Sequence, residues 1–266
     1  MTPISNKTTE AWKAELSQGG YEHSCESEDS FRRLQKPGFV WRRMLNRMDL
    51  PLGSRIFELG CGGGQYLAQL AVQGYEVHGI DVSPQVVARA QKYLSQVANY
   101  KQIQATVEAA DIFEYTSDRT YDLCYHFGVV EHFLMPEERR AIWASLFKLT
   151  RPGGWVASVV PCGRHFMRTM VREKELAGYK IPEIDYSCAL HRTELTEAGF
   201  EHIVALPHNY FSFLSYHPLT AVRKIIYPTM YMAGNAVLPW APFPESWKET
   251  CAQSLIVIGQ KPKERL

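Results

Sequence analysis

Six cysteines, at positions 25, 61, 124, 162, 188 and 251, form no C-x-x-C pair. Neither a zinc knuckle nor a disulfide framework is therefore expected, and reduced thiols of a cytoplasmic protein are the default. No run of eighteen apolar residues occurs, which excludes a spanning helix. The opening Met1-Thr2-Pro3-Ile4-Ser5-Asn6-Lys7 lacks an apolar h-region, so no secretory signal is expected. Lys and Arg (29) nearly balance Asp and Glu (28), a formal charge of +1 that excludes broad attraction to nucleic acid. Arg32-Arg33, Arg42-Arg43 and Arg47 form a local basic cluster that reads as a solvated helix face. No Gly-Lys-Ser/Thr tripeptide is present, so there is no phosphate loop. Clustered carboxylates and histidines are missing as well, and no metal is expected.

What is present is ample core material, 45% hydrophobic over 266 residues, enough for one large α/β domain with added segments. From residue 54 to about 160 strand and helix signals alternate, the mark of a parallel sheet with crossover helices. Strands are expected at 55–59, 75–80, roughly 103–109, 121–127 and 155–160. Helices are expected at about 65–73, 84–98, begun by Ser83-Pro84, and 136–149. Arg151-Pro-Gly-Gly154 reads as a turn before the fifth strand. Further on, a helix closes at 193–198, and strands are expected at 200–206 and 253–259. The residues between those two strands are far more than a hairpin needs. Within 209–250 they include Tyr210, Phe211, Tyr227, Trp240 and Trp247, broken by five prolines. Such a segment is expected to bury itself as a lid, a dimer face or a lipid-touching surface. The expected division is an N-terminal helical cap (1–50), a core (51–208 and 251–266) and this insertion (209–250).

The first strand ends in Glu58-Leu-Gly-Cys-Gly-Gly-Gly64. Glycines there let a ligand lie against bare main chain. A dinucleotide fingerprint would need glycine where Gln65 stands. Glu58 would repel a pyrophosphate and suits a cationic ligand. This stretch resembles motif I of the class I S-adenosylmethionine-dependent methyltransferases, and the resemblance extends over about residues 54–160. It implies a Rossmann-like, seven-stranded, mostly parallel sheet flanked by helices, with S-adenosylmethionine as cofactor. It places Glu58, Gly60, Cys61, Gly62 and Gly64 in the cofactor turn. Asp81, ending the second strand, takes the place of the family's ribose-binding acid, for which a carboxylate accepting two hydroxyls is suited. Val82 would pack on the adenine, and Asp111 with Ile112 would reach its amino group. Phe127 and Gly128 would line the methionine end.

Transfer of an activated methyl group asks mainly for in-line placement. A base matters where the acceptor must lose a proton. His132, in Val129-Val-Glu-His-Phe133, is the candidate, because the family's loop here borders the methyl group and imidazole titrates near neutrality. His165, Tyr186, His191 and His208 are second-rank candidates, and Tyr21 and Trp41 are candidate aromatic neighbours of the sulfonium. No Asp/Asn-Pro-Pro-Tyr/Phe motif follows strand four, which disfavours nucleic-acid bases as acceptors. The expected partner is a small molecule with an apolar or aromatic body, a secondary metabolite, methylated on oxygen, nitrogen or carbon. A monomer or homodimer is expected, with peripheral membrane contact open. The alternative is a non-catalytic module that binds the cofactor and serves as a regulator or partner.

Overall fold

The computed structural model describes residues 7–17, 19–36, 38–174 and 181–263. Parts of two expected segments, at 1–6, 18 and 37 in the cap and at 175–180 and 264–266 in the core, lie outside the described residues. The chain order is α1 (Lys7–Ser17), α2 (Glu28–Leu34), α3 (Phe39–Leu45), β1 (Arg55–Leu59), α4 (Gln65–Ala71), β2 (Glu76–Asp81), α5 (Pro84–Ala98), β3 (Gln104–Ala109) and β4 (Tyr121–Phe127). It continues through α6 (Pro136–Leu149), β5 (Thr150–Pro161), α7 (Arg168–Glu173), α8 (Cys188–Glu197), β6 (Glu201–Tyr210), α9 (Tyr227–Val237), α10 (Glu245–Cys251) and β7 (Ala252–Gln260).

One seven-stranded sheet runs in the order β3-β2-β1-β4-β5-β7-β6. The expected Rossmann-like fold is what forms. β7 lies antiparallel to both β5 and β6, and the other neighbouring pairs are parallel. Side chains alternate between faces with period two. Phe57, Cys124, Val156 and Val257 join Trp143, Leu146 and Leu195 of α6 and α8 in one core. Ile56, Leu123, Tyr125 and Ala157 join Trp41, Met44, Leu67 and Leu70 of α3 and α4 in the other. Both faces are covered, which is why the strands read as near-continuous apolar runs.

Local signals explain several boundaries. Ser83 Oγ accepts the Val86 N–H at 3.4 Å and Pro84 opens α5. Arg151–Gly154 is not a turn ahead of β5 but its bulged beginning. Tyr121 pairs with Thr150, the register shifts, and Leu123 pairs with Trp155.

The insertion is helical: a 3-10 turn Ser212–Tyr216, a π-helical turn Val222–Ile226, then α9 and α10. Within this chain it leaves many of its apolar side chains exposed. Ten of the sixteen exposed large apolar side chains among the described residues lie between Tyr216 and Trp247. The reason is the anchoring stripe. α9 meets the sheet through Gly234 and Asn235, whose side chain pairs with the backbone of Tyr210 at 3.2 and 3.3 Å, which leaves most of its apolar positions facing out.

Candidate functional site

β1 and β4 lie side by side where the strand order reverses, the usual crevice for ligands in open α/β sheets. A cavity opens there at the carboxyl ends of β1, β2 and β4. Glu58, Gly60, Cys61, Gly62, Asp81, Val82, Asp111, Ile112, Phe127 and Gly128 all line it. Gly64 does not. It holds the left-handed entry to α4, and a β-carbon there would stand 3.2 Å from Ala90 Cβ, so it serves close packing of α4 on α5.

Two glycines form the cradle proper. Gly60 (φ +67°) and Gly62 (φ +51°) take left-handed backbone, and β-carbons would approach Val129 Cγ2 to 2.6 Å and Tyr21 Cδ1 to 2.9 Å. Asp81 is fastened above them. Its Oδ2 accepts the Gly62 N–H and its Oδ1 the Ser83 N–H, each at 3.0 Å. Each oxygen keeps a further lone pair. Burial raises the Asp81 pKa, opposed by these backbone donors. Asp111 Oδ1 accepts the Phe113 N–H at 3.0 Å, which fixes that carboxyl on the wall. Glu58 is buried on the α4 side of the sheet, where Tyr125 Oη donates to its Oε2 at 2.8 Å. Burial lifts its pKa well above the carboxylate range, and the hydrogen bond recovers only part.

The N-terminal segment also lines this cavity, through Thr9, Trp12 and Leu16 of α1 and through Tyr21 and His23. It is tied to α5, because Arg89 Nη1 donates to the carbonyls of Leu16 and Gly20 at 3.2 and 2.9 Å. Only the sequence's general expectation of a cap, and Tyr21 among its rings, anticipated this. Trp41 is fully buried among Tyr66, Tyr125 and Phe127 and belongs to the core.

A second chamber shares Trp12, Tyr21, Tyr66, Phe127 and Gly128 with the first. His132 lines it from a 3-10 turn, Val130–His132. Its Nδ1 lies 3.2 Å from the Pro182 carbonyl, which can only accept. Nδ1 therefore carries the proton and Nε2 the lone pair. Trp12 holds the ring edge-on at 4.8 Å. Burial lowers the His132 pKa, which keeps the imidazole neutral at pH 7. His165 has the opposite tautomer. Its Nδ1 accepts the Met167 N–H at 3.3 Å, so its buried Nε2 carries a hydrogen with no protein partner. Burial takes its pKa down to about 4. Glu131 Oε2 and Ser254 Oγ are likewise buried, unpaired and on this chamber. Burial pushes the Glu131 carboxyl up to about 8. Arg168, on the same wall, is paired with Glu183 and Asp185.

The remaining second-rank candidates lie elsewhere. Tyr186 donates to Glu194 at 2.6 Å, His191 Nε2 meets Ser158 Oγ at 2.8 Å, and His208 Nδ1 faces Arg43 at 3.0 Å. These are buried structural contacts. Ser254 has no signal in the sequence, because a lone serine carries no spacing pattern, and Glu131 stands out there only as the neighbour of His132, open to packing or cofactor contact. Among the described residues no three His, Cys, Asp or Glu side chains gather as a metal site.

Residues 57–156 match the family model described as a methyltransferase domain. A ubiquinone biosynthesis O-methyltransferase of Paraburkholderia phymatum is 27% identical over 152 residues, 48% of this chain and 62% of that protein. The chain thus spans less than two thirds of the curated relatives it matches first. Among solved structures, a putative methyltransferase bound to the Trm112 activator of Haloferax volcanii superposes with a TM-score of 0.57 at 16% identity, covering 97% of this chain and 99% of that one. Magnesium protoporphyrin IX methyltransferase of Synechocystis, solved with S-adenosylhomocysteine, gives 0.56 at 16% identity, covering 96% and 100%. Over residues 57–156 the chain matches a methyltransferase domain, and its sheet order and glycine cradle are those of the class I, Rossmann-like S-adenosylmethionine-dependent fold.

Proposed function

We propose that this chain is a cytoplasmic enzyme that methylates a hydroxyl oxygen of a small molecule with an apolar or aromatic body, a phenolic secondary metabolite. The observation that carries the reading is His132. Its Nδ1 is committed to Pro182, its Nε2 lone pair is available, and its chamber shares Trp12, Tyr21, Tyr66, Phe127 and Gly128 with the glycine cavity.

The cavity fits S-adenosylmethionine. Main chain at Gly60 and Gly62 offers a surface that a β-carbon would spoil. Asp81 keeps lone pairs that would take two ribose hydroxyls, Val82 and Ile112 would wall the adenine, and Asp111 would accept from its amino group. Glu58 would serve the amino end, and Phe127 and Gly128 line both chambers. The cofactor, when bound, supplies an activated methyl group on a sulfonium.

The chain's own residues do the rest. Val159, Val160 and Val171 with Tyr66 give the acceptor apolar walls and exclude water. His165 Nε2–H and Ser254 Oγ–H hold acceptor oxygens in line. His132 Nε2 takes the hydroxyl proton as the oxygen–carbon bond forms. Glu131, neutral at pH 7, leaves the chamber without a net negative charge that would favour an ammonium acceptor. An amine or an acidic carbon could lose its proton to the same nitrogen. Oxygen is preferred because the chamber's unpaired groups include a donor, His165, and because the Paraburkholderia relative is an O-methyltransferase.

The test is transfer of a labelled methyl group from S-adenosylmethionine into a host metabolite extract, read by mass spectrometry. A labelled methyl ether is the expected product. Cofactor binding with no labelled product would favour the non-catalytic module instead.

A further inference from the structure

We propose that the outer face of the insertion, from the π-helical turn Val222–Ile226 through α9 to Trp247, docks on an anionic bilayer surface. This face takes no part in either chamber, and the inference does not rest on the methyl-transfer reading.

The first observation is a reversal of the usual helix pattern. A surface helix turns apolar residues inward and polar ones outward. Here the inward stripe makes polar contacts: Tyr231 Oη donates to Asn209 Oδ1 at 2.9 Å, and Asn235 pairs with the Tyr210 backbone. Outward lie Ile225 (68% exposed), Met232 (61%), Val237 (62%) and Trp240 (75%). Apolar side chains this concentrated mark a contact surface rather than ordinary solvent exposure.

The second observation is charge. From His202 to Pro244 there is no aspartate or glutamate, while Arg223 and Lys224 stand between the apolar turns. α3 extends the basic rim. Arg47 lies over the Trp240 ring at 5.5 Å and Arg42 over the Phe39 ring at 4.7 Å, on a groove shared with Ala236. Among the described residues none of these four cations is paired with a carboxylate. The whole chain carries only +1, so this acid-free stretch is more basic than the chain at large.

A bilayer with anionic lipid answers both features. Apolar side chains and a tryptophan enter the headgroup boundary, while Arg and Lys remain among lipid phosphates. A second copy of this chain answers them poorly. A twofold contact through this face would set the same unpaired cations of two protomers against each other.

The experiment is co-sedimentation of the full chain with vesicles of phosphatidylcholine mixed with phosphatidylglycerol, against pure phosphatidylcholine. Partitioning onto the anionic vesicles should exceed that onto neutral ones by about tenfold or more and weaken with added salt. Ile225→Glu with Trp240→Glu should abolish it, and Arg223→Glu with Lys224→Glu should remove the preference for anionic lipid. All four side chains are solvent-facing, so unchanged melting and cofactor binding should show that the variants fold. Failure to sediment with anionic vesicles would overturn the proposal, as would sedimentation that the variants leave unchanged. A dimer in light scattering that Ile225→Glu dissolves, with no vesicle binding, would assign the face to a second copy.

Discussion

Glu58 makes a prediction that can be worked through. Its carboxyl is about 1% exposed, Tyr125 donates to it at 2.8 Å, and the Asp81 charge adds to the burial that lifts its pKa. In the free protein it therefore keeps its proton to higher pH than an exposed carboxyl does. An ammonium group brought to its side favours the carboxylate, so binding should expel that proton. Affinity then rises with pH. Wherever the free protein holds the proton and the complex does not, the slope approaches one in log K per pH unit, about 1.4 kcal/mol. The assay is titration calorimetry with S-adenosylhomocysteine, which has the ammonium without the sulfonium. Phosphate and Tris buffers should give different apparent enthalpies, because the released proton is taken up with different heats. Glu58→Gln should remove most of the buffer difference and flatten the pH dependence at the wild type's low-pH affinity. Equal enthalpies in both buffers with affinity flat across the range would refute the reasoning. So would a Glu58→Gln variant whose linkage matches wild type, which would point to Asp81 or Glu131.

Four further outcomes are expected. Asp81→Ala should weaken cofactor binding by about 1.5–3 kcal/mol, the range for hydrogen bonds to a charged group, and unchanged affinity would sink the ribose assignment. His132→Ala should spare cofactor binding and lower turnover about a hundredfold, and normal turnover would leave positioning as the whole of the chemistry. Gly63→Ala places a β-carbon against the Tyr21 carbonyl and His23 Cδ2, so it should displace residues 19–26 and raise proteolytic nicking there while the core still melts cooperatively. Glu131→Gln bears on stability. The wild-type carboxyl titrates at about 8 in the fold against the ordinary 4.5, so its contribution is fully present below pH 4.5 and lost as pH rises through 8. The variant should thus melt above wild type at pH 9 and near it at pH 5, and parallel curves would refute the burial argument.

The fold around the glycine-lined cavity was legible because its signals are local. Glu58 to Gly64 is one turn, Asp81 ends the next strand, and Ser83-Pro84 starts a helix by short-range chemistry. Gly64 shows the limit of motif reading, since it belongs to the same glycine run yet packs on Ala90. The second chamber was largely illegible. Glu131, His165 and Ser254 come from a 3-10 turn, the segment after β5 and strand β7, and only the sheet order brings them together. Their tautomers and missing partners depend on backbone atoms such as the Pro182 carbonyl, which no side-chain pattern reveals. The insertion was recognised as aromatic and overlong. The polar character of its inward stripe arises from pairing with the Tyr210 backbone, which composition does not disclose.

Tyr210 and Ala252 face each other on adjacent strands. The chain therefore leaves the sheet and returns to it at a single rung, and everything between is a graft on a closed hairpin. Lengthening or replacing such a graft costs little, about 0.6 kcal/mol of closure entropy for each doubling of its length. Asn209 and Tyr216, near its root, help wall the second chamber. An ancestral lineage could thus exchange the graft, and with it the chamber's wall and the molecule's outer face, while inheriting the glycine cradle untouched.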